Sequence, residues 1–315
     1  MKKSKILMTG CAGFIGGHAL ELFLKRGCKV VGVDKMTYAA NPSALKSHNN
    51  FKFYQADICQ TSTIKRIAKE NNVDCIIHFA AESHVDNSIL GDNCFIDSNI
   101  TGTKSLMEVC KDLKIPICHI STDEVYGPIV NGSFDEEDKL SPQNFYSATK
   151  AAAEHIVCAY SNTFDIDYVM VRMSNNYGPR QNSEKFIPTI LRSVKNESKI
   201  PVYGDGLNVR DWIYVKDSVK IISNILQGAN FDRDVYNITF RDEKTNMEVI
   251  ESILQYFNLY IKDCVEFVPD RLGHDSRYSI TNNKMMQFVD FERTSFQDGL
   301  EATIKQYLQE GHTCL

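Results

Sequence analysis

Short apolar runs alternate with longer amphipathic stretches along the first half of the chain. The runs have the length of buried parallel strands, and the stretches between them repeat apolar positions at helical spacing. The pattern predicts strands at about 5–9, 29–33, 51–55, 74–79, 117–121 and 168–173. It predicts helices at about 14–26, 61–71, 93–113 and 145–164. Strands and helices that alternate in this order are typical of a doubly wound parallel sheet.

The pattern changes after the Tyr177-Gly178-Pro179 turn. Short strands at 200–203 and 235–238 are mixed with helices near 184–196, 216–227, 246–258 and 295–309. No repeat, low-complexity tract or flexible linker separates the two halves, so we expect them to pack directly. The sequence therefore predicts an α/β protein: a Rossmann-like sheet domain over 1–178 and a smaller mixed α/β substrate-binding lobe over 179–315, with the chain free to cross between them.

Composition and charge narrow the class of protein. Of the 315 residues, 43% are hydrophobic and 24% are charged, as in ordinary globular proteins, and the net charge of −5 argues against nucleic acid or an anionic membrane as the main partner. No stretch approaches the length of a membrane span, and the apolar run after the basic start is too short for a signal peptide. The ten Cys include no C-x-x-C pair, so we expect reduced thiols and a cytoplasmic protein.

A glycine-rich turn after the first strand predicts a dinucleotide site. Gly10, Gly13 and Gly16 have the spacing G-x-x-G-x-x-G and precede a helix whose N–H groups can bind a pyrophosphate. Asp34 ends the second strand, where a carboxylate can accept the ribose hydroxyls and repel a 2′-phosphate. This favours NAD over NADP, although the neighbouring Lys35 weakens the inference. A glycine turn that only packs a helix on a strand is the minority alternative.

Two further motifs carry chemistry. Asp123 and Glu124 follow Thr122 at the end of an apolar run, and such a pair can protonate a leaving group and remove a carbon-bound proton. Tyr146 and Lys150 lie one helical turn apart, where an ammonium can stabilise phenolate while an alcohol is oxidised. Together they indicate an enzyme that oxidises an alcohol and eliminates water. The alternatives are a solvated acidic loop and an ordinary helix surface.

Several runs of the chain resemble those of the extended short-chain dehydrogenases that act on nucleotide sugars. Among these enzymes the chain is most similar to the nucleoside-diphosphoglucose 4,6-dehydratases, such as those of dTDP-glucose. The resemblance covers residues 5 to about 308, and Thr122-Asp123-Glu124 is its most specific part. The runs that carry it are TGCAGFIG at 9–16, FAAESHVD at 79–86, NITGT at 99–103, STDEVY at 121–126, SNNYGP at 174–179, RDW at 210–212 and DRLGHD at 270–275.

The resemblance implies a three-step cycle on a hexose. Tyr146 takes the proton of the 4-hydroxyl while C4 gives a hydride to NAD⁺, with Lys150 lowering the phenol pKa and Thr122 bonding the reacting oxygen. Glu124 removes the C5 proton that the new ketone acidifies, Asp123 protonates the departing C6 hydroxyl, and the hydride returns to C6. The order is sensible, because without the ketone the C5–H is too weak an acid for a carboxylate.

The resemblance also implies the residues that bind the two ligands. For NAD they are Gly10, Gly13, Phe14, Ile15, Gly16, Asp34, Lys35, Asp57, Ile58, Ala80, Ala81, Ser98, Tyr146, Lys150 and Asn176. For the nucleotide sugar they are Ser83, Thr122, Asn175, Lys185, Phe186, Pro201, Tyr203, Arg210, Asn246, Arg271 and His274. Relatives dimerise through a four-helix bundle, so the helices near 93–113 and 145–164 are the expected homodimer surface.

Some positions depart from the pattern of that family and keep alternatives open. Leu272, Ser218 and Arg180 differ from the expected residues, so dTDP-glucose and UDP-glucose both stay candidate substrates. A nucleotide-sugar 4-epimerase or decarboxylase, or an NAD-binding scaffold without turnover, remains an alternative to the dehydratase. His78 and His84 have no ligand partners at metal spacing, so no metal is expected. His119 is predicted as a core residue with satisfied hydrogen bonds.

Overall fold

The computed structural model describes residues 4–84, 93–270 and 275–310 of the chain. The strands within them are β1 (Lys5–Thr9), β2 (Lys29–Asp34), β3 (Phe51–Gln55), β4 (Cys75–His78), β5 (Ile117–Thr122), β6 (Tyr168–Met173), β7 (Asn175–Tyr177), β8 (Ile200–Tyr203), β9 (Val209–Tyr214), β10 (Asp234–Ile238), β11 (Glu243–Thr245) and β12 (Val265–Val268). Seven of them form a parallel sheet in the order β10-β6-β5-β4-β1-β2-β3. This is the doubly wound, Rossmann-like α/β fold that the sequence predicts.

Helices cover both faces of this sheet, and others pack in the smaller lobe described below. They are α1 (Phe14–Lys25), α2 (Thr61–Asn71), α3 (Gly102–Leu113), α4 (Phe145–Phe164), α5 (Phe186–Lys195), α6 (Val215–Gly228), α7 (Asn246–Tyr256), α8 (Ile261–Cys264), α9 (Asn283–Met286) and α10 (Phe296–Glu310). Short 3₁₀ turns at Pro42–Ala44 and Asp123–Tyr126 complete the set. Asn93–Phe95 and a π-helical turn at Ile96–Thr101 run directly into α3, so the predicted helix at 93–113 contains a π-bulge.

Strand β1 shows why the sheet needs helices on both sides. Its side chains alternate between the faces, so Ile6 and Met8 join one apolar cluster and Leu7 joins another. The first cluster takes Phe23 from α1 and Ile222 from α6, and the second is completed by residues of α2 and α3. All three β1 side chains are fully buried. An uninterrupted apolar run is therefore the expected sequence of such a strand.

The second half of the chain builds a smaller lobe with its own core. A three-stranded sheet (β11-β9-β7) and a two-stranded sheet (β12-β8) pack with α5, α7 and α10. Trp212 lies in this core with Tyr177 and Phe296. Strand β10 leaves the lobe and pairs with β6 at the edge of the large sheet. The division of the chain near residue 178 stays a prediction. Strand β10 follows residue 178 in sequence but belongs to the large sheet.

The strands that the sequence pattern did not reveal all lie in this lobe. They are β7, β9, β11 and β12. Strand β7 reads Asn-Asn-Tyr and β11 reads Glu-Lys-Thr, so neither shows the alternation of a half-buried strand. Strand β9 pairs with both of them, which means that tertiary pairing rather than local propensity determines these elements.

Candidate active site

A cleft runs along the carboxyl ends of the parallel strands. The order of the sheet reverses at β1, which has β2 on one side and β4 on the other, and open α/β sheets collect ligands at such a switch point. Two adjoining pockets form the cleft and share Gly10, Gly13 and Phe79 in their walls. One pocket extends toward Asp34 and the other toward Tyr146.

The glycine turn leaves its backbone open to the cleft. Gly10 has a φ of +67°, and a Cβ added there would lie 2.6 Å from the backbone nitrogen of Ala80. A Cβ on Gly16 would overlap the carbonyl oxygen of Gly10. Helix α1 has Gly13 as its N-cap and no side chain caps its first N–H groups. Uncapped N–H groups at a helix start are suited to an anion such as a pyrophosphate.

Asp34 lies where a ribose would reach the end of β2. One carboxylate oxygen accepts the N–H of Ala12 at 3.0 Å and the other accepts the N–H of Met36 at 2.8 Å. These bonds hold the carboxylate at the pocket wall, where each oxygen has a further lone pair for a hydroxyl. Lys35 forms an ion pair with Asp57 at 2.8 Å, so its charge is partly neutralised. The carboxylate of Asp34 therefore fits the ribose hydroxyls of NAD. The charge of Lys35, which weakened the preference for NAD over NADP, is compensated by Asp57.

All the residues predicted to bind the cofactor line these two pockets. The pocket near Tyr146 is lined by Gly10, Gly13, Phe14, Ile15, Gly16, Ala81, Tyr146, Lys150 and Asn176. The pocket near Asp34 is lined by Asp34, Lys35, Asp57, Ile58, Ala80 and Ser98. These residues come from seven separate stretches of chain, which the sheet gathers at one edge.

The acidic pair lies in the tight turn that follows β5. Thr122 ends the strand, accepts the N–H of Glu124 at 3.3 Å and donates to one oxygen of Asp123 at 3.3 Å. The other oxygen of Asp123 is buried and has no hydrogen-bond partner among the described residues. Burial raises the pKa of Asp123 well above its ordinary range, and the charges of Glu124 and Asp211 raise it further. Asp123 is therefore suited to the role of a protonated acid.

Glu124 has a different environment from its neighbour. Burial raises its pKa, but the Asn144 amide, which donates to it at 3.2 Å, and the charges of Arg210 and Lys185 oppose the rise. Asn144 also caps α4 by accepting the N–H of Ser147 at 2.8 Å. One side chain thus fixes both the start of the helix and the second carboxylate. Glu124 is the member of the pair that the surroundings favour as carboxylate.

Tyr146 and Lys150 occupy the first turns of α4. Lys150 is buried and its ammonium donates to the carbonyl of Ile120 at 2.6 Å. Burial lowers the pKa of Lys150 to about 8. Burial and the charge of Glu124 raise the pKa of Tyr146, while a hydrogen bond with Thr122 lowers it. The proposed effect of Lys150 on the phenol stays a prediction, because in this state its ammonium is directed at a backbone carbonyl.

The residues predicted to bind the nucleotide sugar fall into two groups. The first group lines the same pocket as Asp123, Glu124, Tyr146 and Lys150, and its members are Ser83, Thr122, Asn175 and Lys185. Within it, Lys185 donates to the carbonyl of Ser83 at 2.7 Å. Phe186, Pro201, Tyr203, Arg210 and Asn246 lie outside the lining of the two pockets. Arg271 and His274 lie outside the described residues.

Members of the second group have separate surroundings in the lobe. Pro201 and Tyr203 point from the exposed face of β8, and Phe186 stacks on Trp212 with ring centroids 6.3 Å apart. Asn246 begins α7 and its N–H bonds the carbonyl of Asn208.

Arg210 donates to the carbonyls of Val209 and Asp275 and lies 4.6 Å from the centroid of the Tyr278 ring. Its charge nevertheless opposes the rise in pKa of both Asp123 and Glu124. This links Arg210 electrostatically to the acidic pair, although it does not line the cleft.

Gln181 is a wall residue that sequence reasoning missed. Its amide nitrogen donates to the carbonyl of Asn176 at 3.0 Å, while its oxygen is buried without a partner among the described residues. The side-chain oxygen of Asn176 and the hydroxyl of Ser174 are unpartnered in the same way. Three such groups in one pocket wall indicate that a ligand satisfies them. The signal in the sequence was the Gly178-Pro179 turn, which directs the following residues back over the strand ends.

Two buried histidines lie beneath the cleft. His78 bonds the hydroxyls of Thr9 at 2.8 Å and Thr103 at 3.1 Å. The prediction that His119 has satisfied hydrogen bonds is wrong, because both of its ring nitrogens lack a partner in the described part of the chain. Its neighbours across the sheet are apolar or already bonded, so burial leaves it unpaired and lowers its pKa well below the ordinary value.

Among the described ranges, no group of three His, Cys, Asp or Glu side chains could hold a metal ion. In the same ranges, no helix combines the length and apolar character that a membrane crossing requires.

Comparison with known proteins gives a consistent result. A family model described as GDP-mannose 4,6 dehydratase matches residues 7–303. The low-salt glycan biosynthesis protein Agl12 of Haloferax volcanii is 41% identical over 308 residues, covering 96% of this chain and 98% of that protein. The dTDP-glucose 4,6-dehydratase of Haemophilus influenzae is 37% identical over 330 residues, covering 96% and 97%. A crystal structure of DesIV, a dTDP-glucose 4,6-dehydratase from Streptomyces venezuelae with NAD and TYD bound, has a TM-score of 0.93 at 35% identity and covers 98% of each chain.

Proposed function

The chain belongs to the NAD-dependent nucleotide-sugar 4,6-dehydratases of the extended short-chain dehydrogenase family, and from that premise we propose its substrate and the role of each catalytic residue. It is a hydro-lyase whose product is a 4-keto-6-deoxy sugar. We propose dTDP-glucose as the substrate, with UDP-glucose as the alternative. The observation that carries the proposal is the convergence of Thr122, Asp123, Glu124, Tyr146 and Lys150 on one cleft wall.

The first step is oxidation at C4 of the glucosyl ring. Tyr146 accepts the proton of the 4-hydroxyl. Thr122, whose side chain hydrogen-bonds with the Tyr146 phenol, orients the reacting oxygen. The charge of Lys150 favours phenolate from one helical turn away. NAD⁺, which the glycine turn and Asp34 would hold, would supply the acceptor for the C4 hydride and the later hydride donor to C6.

The second step is elimination of water across C5 and C6. The 4-ketone acidifies the C5 proton, and Glu124 removes it as a carboxylate. Asp123 gives its proton to the leaving C6 hydroxyl, so one acid and one base act on neighbouring carbons. The raised pKa of Asp123 supports its role as the acid, and the donors around Glu124 support its role as the base. When the hydride returns to C6, Glu124 gives its proton back to C5, and Asp123 and Tyr146 regain their starting states by proton exchange with water.

The nucleotide would extend from the cleft toward the lobe. Lys185 in the cleft and Arg210 near the acidic pair are the cations proposed to bind its diphosphate. Arg suits a diphosphate because its planar fork donates two bonds. Tyr203, 38% exposed on β8, offers an aromatic face to a pyrimidine. Arg271 and His274 are proposed for the same diphosphate on the family pattern alone.

The expected cytoplasmic location stays a prediction. We further propose a homodimer formed through α3 and α4. The two helices pack against each other. Partly exposed apolar side chains at Ile96 and Phe164 support a partner at this surface, since a bundle of four helices would cover them. Light scattering coupled to gel filtration should give twice the mass of 35.7 kDa. A monomer at micromolar concentration would contradict the proposal.

The test of function uses the purified protein with added NAD⁺. Incubation with dTDP-glucose should give a product lighter by one water in mass spectrometry, and a parallel incubation with UDP-glucose ranks the two nucleotides. Water loss from neither sugar would contradict the dehydratase. In that case a change of C4 configuration, loss of carbon dioxide from a uronic acid or NAD binding without turnover would identify the epimerase, the decarboxylase or the scaffold.

A further inference from the structure

A buried ion pair lies directly behind the catalytic wall and is not used by the steps above. Glu154 on α4 is 2% exposed and Arg172 on β6 is 6% exposed. The guanidinium donates to both carboxylate oxygens, with the shortest contact 2.8 Å. A buried charge pair costs desolvation free energy and is weak evidence for stability by itself. Its position therefore calls for an explanation in terms of the site.

Glu154 connects to the oxidation pair, which consists of Tyr146 and Lys150. It lies four residues after Lys150 on α4, where side chains share one face of the helix. Its carboxylate accepts the hydroxyl of Ser121 at 2.5 Å, and Ser121 immediately precedes Thr122 in the cleft wall. The charge of Glu154 opposes the effect of burial on the Lys150 ammonium.

Arg172 connects to the acidic turn. It donates to the hydroxyl of Tyr126 at 2.6 Å and lies 4.7 Å above the same ring. Tyr126 ends the turn that carries Asp123 and Glu124, and its hydroxyl donates to Asn237 on β10 at 2.9 Å. The pair thus joins α4, β5, β6 and the acidic turn from behind the cleft.

We propose that Glu154 and Arg172 are a positioning unit. The pair keeps Lys150 charged and fixes the position of the oxidation pair relative to the acidic turn. The proposal rests on the proposed function, because it assigns the two pairs to successive steps. Glu154 acts through Lys150 and Ser121, and Arg172 acts through Tyr126. Neither side chain touches the substrate.

The other titratable groups around Lys150 and Glu154 determine which pH-dependent rate changes can be assigned to Lys150. Lys150 has His78 on β4 and His119 on β5 behind it, and the pKa of each is lowered below the neutral range by burial first and then by the Lys150 charge. Tyr146 lies on the same helix, and Cys158, Tyr126 and Arg172 surround Glu154. The histidines are therefore neutral at pH 8, and the raised pKa of Asp123 affects the elimination, in which Asp123 is the acid. An alkaline limb near pH 8 in the oxidation step, measured as the appearance of NADH, reports on Lys150.

The first experiment compares Glu154→Gln with the paired variant Glu154→Gln/Arg172→Met, which leaves no unpaired buried charge if the single variant folds poorly. The alkaline limb of the rate of NADH appearance in single turnover should move to lower pH by roughly one unit or more, because an opposite charge near the ammonium is removed. Asp217→Asn is the matched control, since Asp217 is a fully buried carboxylate on α6 that bonds Thr294 and Lys220 away from the cleft. An unmoved limb in the folded paired variant would overturn the proposal.

The second measurement does not depend on turnover. The ε-carbon resonance of Lys150 in protein labelled with ¹³C-lysine, assigned by its loss in Lys150→Met, should titrate at lower pH in the paired variant than in wild type. If wild type fails to dehydrate either sugar, the proposed function fails while this titration still tests the pair. If wild type dehydrates and Lys150 titrates unchanged, the pair is not a positioning unit.

The third measurement separates the two connections. Tyr126→Phe removes the hydroxyl through which Arg172 reaches the acidic turn, so the elimination should slow more than the oxidation and NADH absorbance should rise in single turnover. Glu154→Gln, which keeps the bond from Arg172 to Tyr126, should instead slow the appearance of NADH. Equal slowing of both steps in both variants would show a general loss of structure and contradict the assignment.

Discussion

Two clusters of charged groups in this protein use carboxylates in opposite ways. In the reaction cleft (Thr122, Asp123, Glu124, Tyr146 and Lys150), burial raises the pKa of both carboxyls and one oxygen of Asp123 has no hydrogen-bond partner among the described residues. In the lobe clamp (Glu243, Arg277 and Ser279), burial also raises the carboxyl pKa, but hydrogen bonds from Arg277 and Ser279 outweigh it and the net pKa of Glu243 is lowered.

The geometry of the lobe clamp is that of a bidentate ion pair. Arg277 donates to the two oxygens of Glu243 at 2.7 and 2.8 Å, and Ser279 donates at 2.7 Å. Every acceptor in the clamp is thus satisfied, whereas the cleft leaves acceptors open toward its wall. In the cleft, the cost of burying the carboxyls is only partly offset and proton donors and acceptors stay available, whereas in the clamp the hydrogen bonds to Glu243 more than offset the cost of its burial.

The largest expected effect is that of Tyr146→Phe. Removing the phenol oxygen eliminates the base of the first step, so kcat should fall by about 10³-fold to 10⁴-fold. NADH absorbance should be absent in single turnover. NAD⁺ affinity measured by fluorescence titration serves as the control and should be nearly unchanged, because the ring remains. Residual oxidation within tenfold of wild type would assign the base to another residue.

The two carboxyls should fail at a later stage than the phenol. In Asp123→Asn and Glu124→Gln the hydride step can proceed but elimination cannot, so turnover should fall about 10²-fold to 10³-fold and NADH should accumulate. Solvent deuterium exchange at C5 distinguishes the variants, since it should persist in Asp123→Asn and be lost in Glu124→Gln. Exchange in both would place the C5 base elsewhere.

How much of this site the sequence could predict depends on how local each signal is. Thr122-Asp123-Glu124 and Tyr146 with Lys150 are short motifs, so their spacing alone indicated the chemistry, and the parallel sheet that gathers them followed from the apolar runs. Those residue assignments stay predictions, but the strands and helices that carry them are confirmed.

Other features depend on contacts between distant segments. Glu154 and Arg172 are 18 residues apart and meet only because α4 returns over β6. Strand β9 pairs with β7 and β11, neither of which has an apolar pattern of its own. Gln181 reaches the pocket because the turn after β7 reverses the chain. No periodicity within one segment reports such pairings, which is why the sequence pattern missed them.

A smaller effect is expected where the lobe meets the nucleotide. Tyr203→Leu keeps an apolar side chain but removes the ring face, so KM for dTDP-glucose should rise about tenfold while kcat changes little. The exposed Phe267→Leu on β12 is a matched control, since it removes a ring from the neighbouring strand of the same small sheet. Equal KM changes in both variants would point to a distortion of the lobe. A fall in kcat alone would exclude Tyr203 from nucleotide binding.

The smallest effects give the sharpest form of the comparison, because the two regions should respond to pH with opposite signs. The folded-state pKa of Asp123 is raised, so the folded state holds its proton longer and wild type loses stability as pH rises from the unfolded pKa toward the folded one. Asp123→Asn removes that loss and should be more stable than wild type at pH 7 by on the order of 1 kcal/mol, with no gain at pH 4.

Glu243→Gln should behave in the reverse sense. The folded-state pKa of Glu243 is lowered, so its contribution is present above the unfolded pKa and is lost as pH falls through the folded one. The variant should be less stable than wild type by about 1 kcal/mol at pH 7, a figure already reduced for the partial exposure of the pair, and equal to it at low pH. Urea unfolding of both variants at several pH values, at one fixed NAD⁺ concentration, measures the two differences. If both differences had the same sign at pH 7, the carboxyls of the cleft and the clamp would not be held in opposite states of protonation, and the contrast between a region kept reactive and a region kept stable would not hold.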